Sequence, residues 1–299
     1  MKNIFTILFF LAVSVIHAQF TLSGTIIDSI TQKPIPYSLV TTNSGRQGVI
    51  ADVNGKFELT LADSLQNNYL SATSMGFDTT TVSIIKFQNS GSEIIYLRHK
   101  QFILPEVSIA SIDADKYCKA NWGATKKNKT FNGNVFWGAG WEIATYFENT
   151  NGDSGIISKI KFFIQDKGSP NTQFRAKLYS VNPKKNSPGE LLLDQDLILQ
   201  GDKGNEWVTL DITAFNIQIP KGGFFVAMEW LPACSSLNYT VSFGKTEIKG
   251  QGQVLGLSNE IKSKVTWFKP FLKTWRMYED GKGYIYNAMI GAEVLKKCK

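Results

Sequence analysis

The chain has 299 residues, 43% of them hydrophobic and 12% aromatic, with 20 Phe, 10 Tyr and 7 Trp and a formal charge of +7. That length and apolar content exclude an unfolded chain and predict two domains. The basic residues are scattered lysines with pairs at Lys126-Lys127, Lys184-Lys185 and Lys296-Lys297; nucleic acid would require a concentrated stripe, so the charge reads as a solvated surface.

In chain order, Met1 to Ala18 comes first, with Lys2 in a short positive region, an apolar run from Ile4 to Ile16, and His17-Ala18 before Gln19. This is the pattern of a secretory signal peptide, with cleavage expected after Ala18. The run is shorter than the roughly 20 residues of a spanning helix, and no later stretch reaches that length, so no transmembrane span is expected in the mature chain. Removing Lys2 leaves +6. Three cysteines, Cys118, Cys234 and Cys298, follow. Export permits a disulfide, an odd count leaves one thiol over, and the sequence does not choose among three pairings. Cys118 and Cys298 bracket the second half of the chain and would staple a sandwich whose ends are neighbours. Their spacing is unlike that of a zinc site.

From Phe20 the chain alternates with period two, placing Leu22 and Ile26 on one face. Asp28 to Pro36 supplies a turn, Tyr37 to Val40 a strand, and Asn54-Gly55 a hairpin signal in which both residues accept positive φ. Phe57, Leu59 and Leu61 alternate next. Tyr69 to Thr73, Thr80 to Ile85 and Glu93 to Leu97 complete about seven short strands, and no helix is predicted here.

The order Gly24-Thr25-Ile26-Ile27-Asp28, Lys33-Pro34-Ile35-Pro36-Tyr37, Asp52-Val53-Asn54-Gly55-Lys56-Phe57 and Ser74-Met75-Gly76-Phe77 resembles the carboxypeptidase-regulatory-like family. The resemblance spans roughly Phe20 to Lys100, about a quarter of the chain. It implies a transthyretin-like seven-stranded β-sandwich of the kind found in exported Bacteroidetes proteins, including TonB-dependent receptors, where a segment similar to Leu104-Pro105-Glu106-Val107 often follows. Too few residues remain for a receptor's plug and barrel. The family's glycines and aspartates shape turns, and the resemblance carries over no catalytic or zinc-binding residue.

Ser108 to Thr130 is lysine-rich and aperiodic and reads as a linker, so the expected organisation is 1–18 signal peptide, 19–107 first sandwich, 108–130 linker and 131–299 second domain. Strands are predicted at Glu142 to Phe147, Ile156 to Ile164, Phe174 to Val181, Leu191 to Leu199, Trp207 to Ile212, Phe224 to Leu231, Tyr239 to Phe243, Lys264 to Phe268, Trp275 to Tyr278 and Ala288 to Val294. Turn signals such as Asn151-Gly152-Asp153 and Asn186-Ser187-Pro188-Gly189 separate them. The expected fold is all-β, with a larger jelly-roll-like antiparallel sandwich in second place.

Catalytic arrangements are scarce. His99 is the one histidine beyond the signal segment, and it ends a strand between Arg98 and Lys100, which argues against a nucleophile–histidine site. Glycine-rich phosphate loops are absent. Paired carboxylates would suffice for a glycosidase, with Glu142, Asp194, Asp196, Glu229 and Glu279 on strands. Glu229, between Met228 and Trp230, is the one candidate acid, set against a structural role opposite a lysine. A structural Ca²⁺ in the Asn151-Gly152-Asp153 loop has too few side-chain oxygens to support it, and no cofactor is expected. Trp137, Trp141, Trp267, Trp275 and Tyr278 flank predicted strand ends, where they would either fill the core or form a stacking platform for sugar rings. The resulting expectation is a non-enzymatic exported protein of the periplasm, outer-membrane periphery or cell exterior, binding an unknown protein or glycan. A glycan-binding accessory module is the alternative, and a hydrolase stands third.

Overall fold

A computed structural model describes residues 19–65, 68–89, 93–100, 117–124, 133–135, 138–233, 238–243, 246–279, 283 and 285–298. The signal segment, Leu104 to Val107, Trp137, Cys234 and Tyr284 lie outside them.

The first sandwich contains β1 (Gln19–Asp28), β2 (Leu39–Thr42), β3 (Gly48–Ile50), β4 (Lys56–Ala62), β5 (Tyr69–Thr73), β6 (Thr80–Ser83), the short helix α1 (Ile84–Asn89) and β7 (Ile94–Leu97). One sheet has the order β4-β1-β7, the other β3-β2-β5-β6. Period-two alternation turns Leu22 and Ile26 inward from β1 and Phe57, Leu59 and Leu61 inward from β4. At the β3–β4 connection the Asp52 carboxylate accepts hydrogen bonds from the amides of Asn54 and Lys56, at 2.8 Å each. Positive φ falls on Gly55 and not on Asn54. A Cβ on Gly55 would sit 2.8 Å from the Ile26 carbonyl oxygen, so glycine is required for both conformation and space. The helix α1 departs from the expected strand through Ile85. Ile84 and Phe87, three residues apart, share the buried face of one helical turn and continue the core.

The second sandwich follows with β8 (Tyr117–Gly123), β9 (Gly133–Val135), β10 (Glu142–Phe147), β11 (Gly155–Gly168), β12 (Gln173–Val181), β13 (Pro188–Leu191), β14 (Leu197–Gln200), β15 (Glu206–Asp211) and β16 (Phe224–Trp230). It continues with β17 (Asn238–Phe243), β18 (Thr246–Gln251), β19 (Gln253–Ser258), β20 (Thr266–Lys269), β21 (Arg276–Met277), β22 (Asn287–Ala288) and β23 (Ile290–Lys297). One sheet runs β13-β12-β16-β10-β20-β21 with β14 also on β12; the other runs β22-β19-β11-β23-β8, with β15 on β11 and β9 on β19. Phe162, Phe174, Phe224, Met228, Trp230 and Ile290 fill the space between them. The fold is all-β, as the strand pattern requires.

The strands β9 and β18 were not expected from the sequence, and three further differences have a plain physical reason. Tyr117–Gly123, inside the span read as linker, is a strand paired along its length with β23. Its exposed Cys118, Lys119 and Asn121 give an edge strand little apolar periodicity. The single strand expected over Leu191 to Leu199 is two strands, β13 and β14, both on β12, because the chain turns out through Asp194 and Asp196 to reach charged partners. The β19 strand went unseen because it is buried on both faces and shows no alternation.

Cys118 and Cys298 form a disulfide joining β8 to the end of β23 across 180 residues of chain. Closing so long a loop restricts the unfolded ensemble strongly. The Cys118→Ser/Cys298→Ser protein is expected to lose about 2–4 kcal/mol of unfolding free energy in urea titrations under non-reducing conditions. A difference under 1 kcal/mol would mean that the bond constrains little.

Candidate functional site

The outer face of the β13-β12-β16-β10-β20-β21 sheet, the side turned away from the second core, is where charge, aromatic rings and the first sandwich meet. Pairing register builds it in rows. Arg175 lies opposite Glu229, Glu229 opposite Glu142, and Glu142 opposite Lys269. In the next row Lys177, Ala227, Ala144 and Trp267 face one another, and beyond it Tyr179, Phe225 and Tyr146. Alternation accounts for the chemistry: on β16, Phe224, Val226, Met228 and Trp230 enter the core while Phe225, Ala227 and Glu229 point out.

The charged row is buried although it lies outside the core. Glu142 is 2% exposed, Arg175 5% and Glu229 6%, so each ion needs a partner. Arg175 donates from Nε to Asp196 at 2.5 Å, from Nη1 to Glu229 at 2.8 Å, and from Nη2 to the Tyr37 carbonyl oxygen at 3.1 Å. The Lys177 ammonium bridges the two glutamates, 3.2 Å from Glu142 and 3.0 Å from Glu229. Lys269 also pairs with Glu142, and the Tyr179 hydroxyl donates to the other Glu142 oxygen at 2.6 Å. Three acids and three bases balance within this cluster.

The electrostatic consequences follow from that balance. Burial alone would push the Glu142 carboxyl up; the Lys177 and Lys269 charges overcome it and hold the carboxyl down at about 2. Burial likewise opposes ionisation of Glu229, and Lys177 and Arg175 prevail, keeping it below the usual carboxylate range. For Lys177, burial would lower the ammonium, but the two glutamates raise it above its ordinary value. Burial, reinforced by the neighbouring Glu142 charge, pushes the Tyr179 phenol well up. Both glutamates are therefore ionised at neutral pH, and neither holds a proton to give to a leaving group. The arrangement is suited to fixing strands and a neighbouring domain in place.

The neighbour is the first sandwich. Tyr37 has φ of 54°, a left-handed conformation unfavourable for a bulky side chain. It is held at both ends: its carbonyl accepts from Arg175, and its hydroxyl donates to Gln173 Oε1 at 2.6 Å. Around it, Tyr37, Ile50 and Leu231 form a buried cluster with Leu39, Ile198 and Phe271 drawn from both sandwiches. A second anchor joins Lys100 to Asp194 at 2.5 Å, with the Gly76 amide donating to the same carboxylate at 3.3 Å.

The aromatic residues singled out in the sequence do not gather at one place. Trp141 packs against the second core, as does Tyr278, whose ring lies edge-on to Phe268 at 6.4 Å. Trp267 and Trp275 are half-buried on the outer face. Trp267 packs edge-on to Phe225 at 6.5 Å, and Trp275 packs edge-on to Tyr179 at 5.7 Å with the Lys269 ammonium 5.3 Å from its ring. Trp137 lies outside the described residues. Of the acids named from the sequence, Glu142 and Glu229 both meet Lys177, Glu229 and Asp196 meet Arg175, Asp194 reaches Lys100, and Glu279 pairs with Lys264 at the surface.

In the loop considered for Ca²⁺, the Asp153 carboxylate is paired with Lys296 at 2.9 Å, and Asn149 closes the turn by accepting from the Asp153 amide. Among the described residues no group of three or more His, Cys, Asp or Glu side chains could hold a metal ion, and no helix is long and apolar enough to cross a membrane. His99 bonds to Asp28 at 2.9 Å and lies against the Phe77 ring.

Sequence reasoning named both glutamates and missed Arg175, Lys177, Lys269 and Tyr37, which give them their role. The available signal was the outward phase of Arg175-Ala176-Lys177 on a strand whose other phase is apolar. No curated protein matches the chain. Residues 22–109 match the family model described as CarboxypepD_reg-like domain, and the N-terminal sandwich is accordingly a domain of that family, a non-catalytic β-sandwich.

Proposed function

We propose that the protein is exported and works without catalysis, as a binding, adhesion or assembly component of the cell envelope. The observation that carries this reading is the use made of Glu142 and Glu229. A glycosidase keeps one carboxyl protonated near neutral pH beside a second, ionised one. Here both are neutralised by Arg175, Lys177 and Lys269, and the same guanidinium clasps the first sandwich through Tyr37. Two sandwiches held by buried ion pairs and a shared apolar cluster make a rigid platform for presenting a surface.

Cell fractionation with an epitope-tagged chain tests the reading. The tagged protein is expected in the envelope or medium, with its N-terminus at Gln19. Full-length protein retained in the cytoplasm would remove the export part. A hydrolytic activity lost in a folded Glu229→Gln protein would remove the non-enzymatic part.

A further inference from the structure

The opposite sheet of the second sandwich carries a trough with no role in the domain junction. Register places Thr209, Lys161 and Gly291 in one row across β15, β11 and β23, with Trp207 one step along opposite Phe163. Gly291 raises no side chain, leaving a floor of bare backbone, and a Cβ there would meet nothing closer than the Ala124 carbonyl oxygen at 3.3 Å. Trp207 and Thr209 stand on one side of this floor and Asn121 and Ala124 on the other, around about 300 Å³ of space. That volume is at the lower end of small-molecule sites, roughly 300–1,000 Å³, and suits a single ring.

The walls have a definite chemistry. Trp207 is half-buried, its indole fixed edge-on against Phe163 at 5.4 Å. Lys161 donates to Asn121 Oδ1 at 2.8 Å, which turns the amide so that its NH₂ is the free end. The Trp207 indole N–H, the Asn121 NH₂ and the Thr209 hydroxyl have no protein partner among the described residues. Lys161 adds a charged donor, and its nearest acid, Glu293 at 3.8 Å, is shared with Lys159 and does not line the trough. An aromatic wall beside three neutral donors without a partner and the Lys161 ammonium, with no carboxylate lining the space, calls for a flat-faced ligand rich in acceptors and bearing negative charge.

We infer that this trough is a binding site for a carboxylated pyranose, a uronic-acid-type residue of an acidic glycan, stacked on Trp207 with its carboxylate toward Lys161. The inference rests on the binding reading above and names a ligand class for it. It places sugar recognition on the face away from Trp267 and Trp275.

Calorimetric titration of the purified protein with galacturonate, glucuronate and alginate oligosaccharides, against neutral cello-oligosaccharides, tests it. At least one acidic probe is expected to bind at least fivefold more tightly than the neutral ones, with affinity falling as salt rises. Trp207→Ala is expected to weaken that binding about tenfold. Lys161→Met, which keeps the aliphatic stem, should abolish the preference for the acidic probe while leaving the melting temperature within a few degrees. Binding unchanged in both variants, binding lost in Trp267→Ala but kept in Trp207→Ala, or no binding of any acidic probe at millimolar concentration would each overturn the assignment. None of these outcomes bears on cell fractionation, so failure of the trough and failure of the export reading are separable.

Discussion

Replacing Arg175 with methionine is expected to lower the unfolding free energy by about 3–5 kcal/mol, among the largest effects available from one residue in this chain. The guanidinium is 6% exposed at its side chain and serves Glu229, Asp196 and the Tyr37 carbonyl together. Methionine approximates its volume but leaves Glu229 with only Lys177, and strands a main-chain oxygen at the junction. A buried ion pair adds little when both partners are exchanged for apolar groups; removing one alone leaves the other's desolvation uncompensated. The effect should also be regional. Hydrogen exchange should accelerate at Tyr37, Leu39 and Ile50 in the first sandwich, because the clasp crosses the junction there. Urea unfolding with exchange mapped by mass spectrometry checks both. A loss under 1 kcal/mol with unchanged exchange would mean the network is neither dry nor cooperative.

The second large effect is acid sensitivity. The Glu142 carboxyl is held at about 2 in the fold against an ordinary 4.5. A depressed folded value stabilises the fold fully above the unfolded value and loses that contribution as pH falls through the folded one, so the window lies between pH 4.5 and about pH 2. A displacement of that size corresponds to about 3 kcal/mol. Glu229 is displaced in the same direction by Lys177 and Arg175, against its burial, and adds to the slope. Asp28 acts likewise in the first sandwich, where the Thr31 hydroxyl first, then the Ile30 amide and His99, hold it below the carboxylate range against its burial. Stability measured in urea at pH 7, 5, 4 and 3 should fall progressively below pH 4.5. Glu142→Gln should start lower at pH 7, because Lys177 and Lys269 lose a counter-charge, and then fall less steeply. Parallel curves for the two proteins would show that folding does not lower the Glu142 carboxyl.

Both effects depend on residues whose proximity follows from register. Alternation along Phe224 to Trp230 set Glu229 on one face with Phe225 and Ala227, but which of the two faces turns outward was decided by the fold, since every position of the strand is buried. That Glu229 faces Glu142 on one side and Arg175 on the other was not legible in one dimension, because nothing local aligns strands separated by 54 and 87 positions. Proline, glycine and aspartate at turns are local signals, which is why the Asp52 to Lys56 hairpin was readable. Even there, positive φ fell on Gly55 alone, since the Asp52 carboxylate already satisfies the Asn54 amide. Edge strand β8 and doubly buried β19 escaped for opposite reasons: β8 leaves Cys118, Lys119 and Asn121 exposed, while β19 buries every position, Gln253, Gly256 and Ser258 included, so neither shows a clean alternation. Trp207 was legible as part of a strand, but its half-exposed setting beside bare Gly291 depends on a strand some 80 residues further along the chain.

The sequence by itself determined the all-β class, the seven-stranded N-terminal sandwich and the inward phase of its strands, because period-two burial and turn chemistry act between near neighbours. Only the tertiary structure decided that Glu142 and Glu229 share one lysine and that Glu229 meets an arginine that holds the first domain. Only it, too, placed Trp207 over an empty glycine floor. Charge pairing and concavity are properties of residues brought together from distant segments, and burial settles their energies only after the strands have found their register.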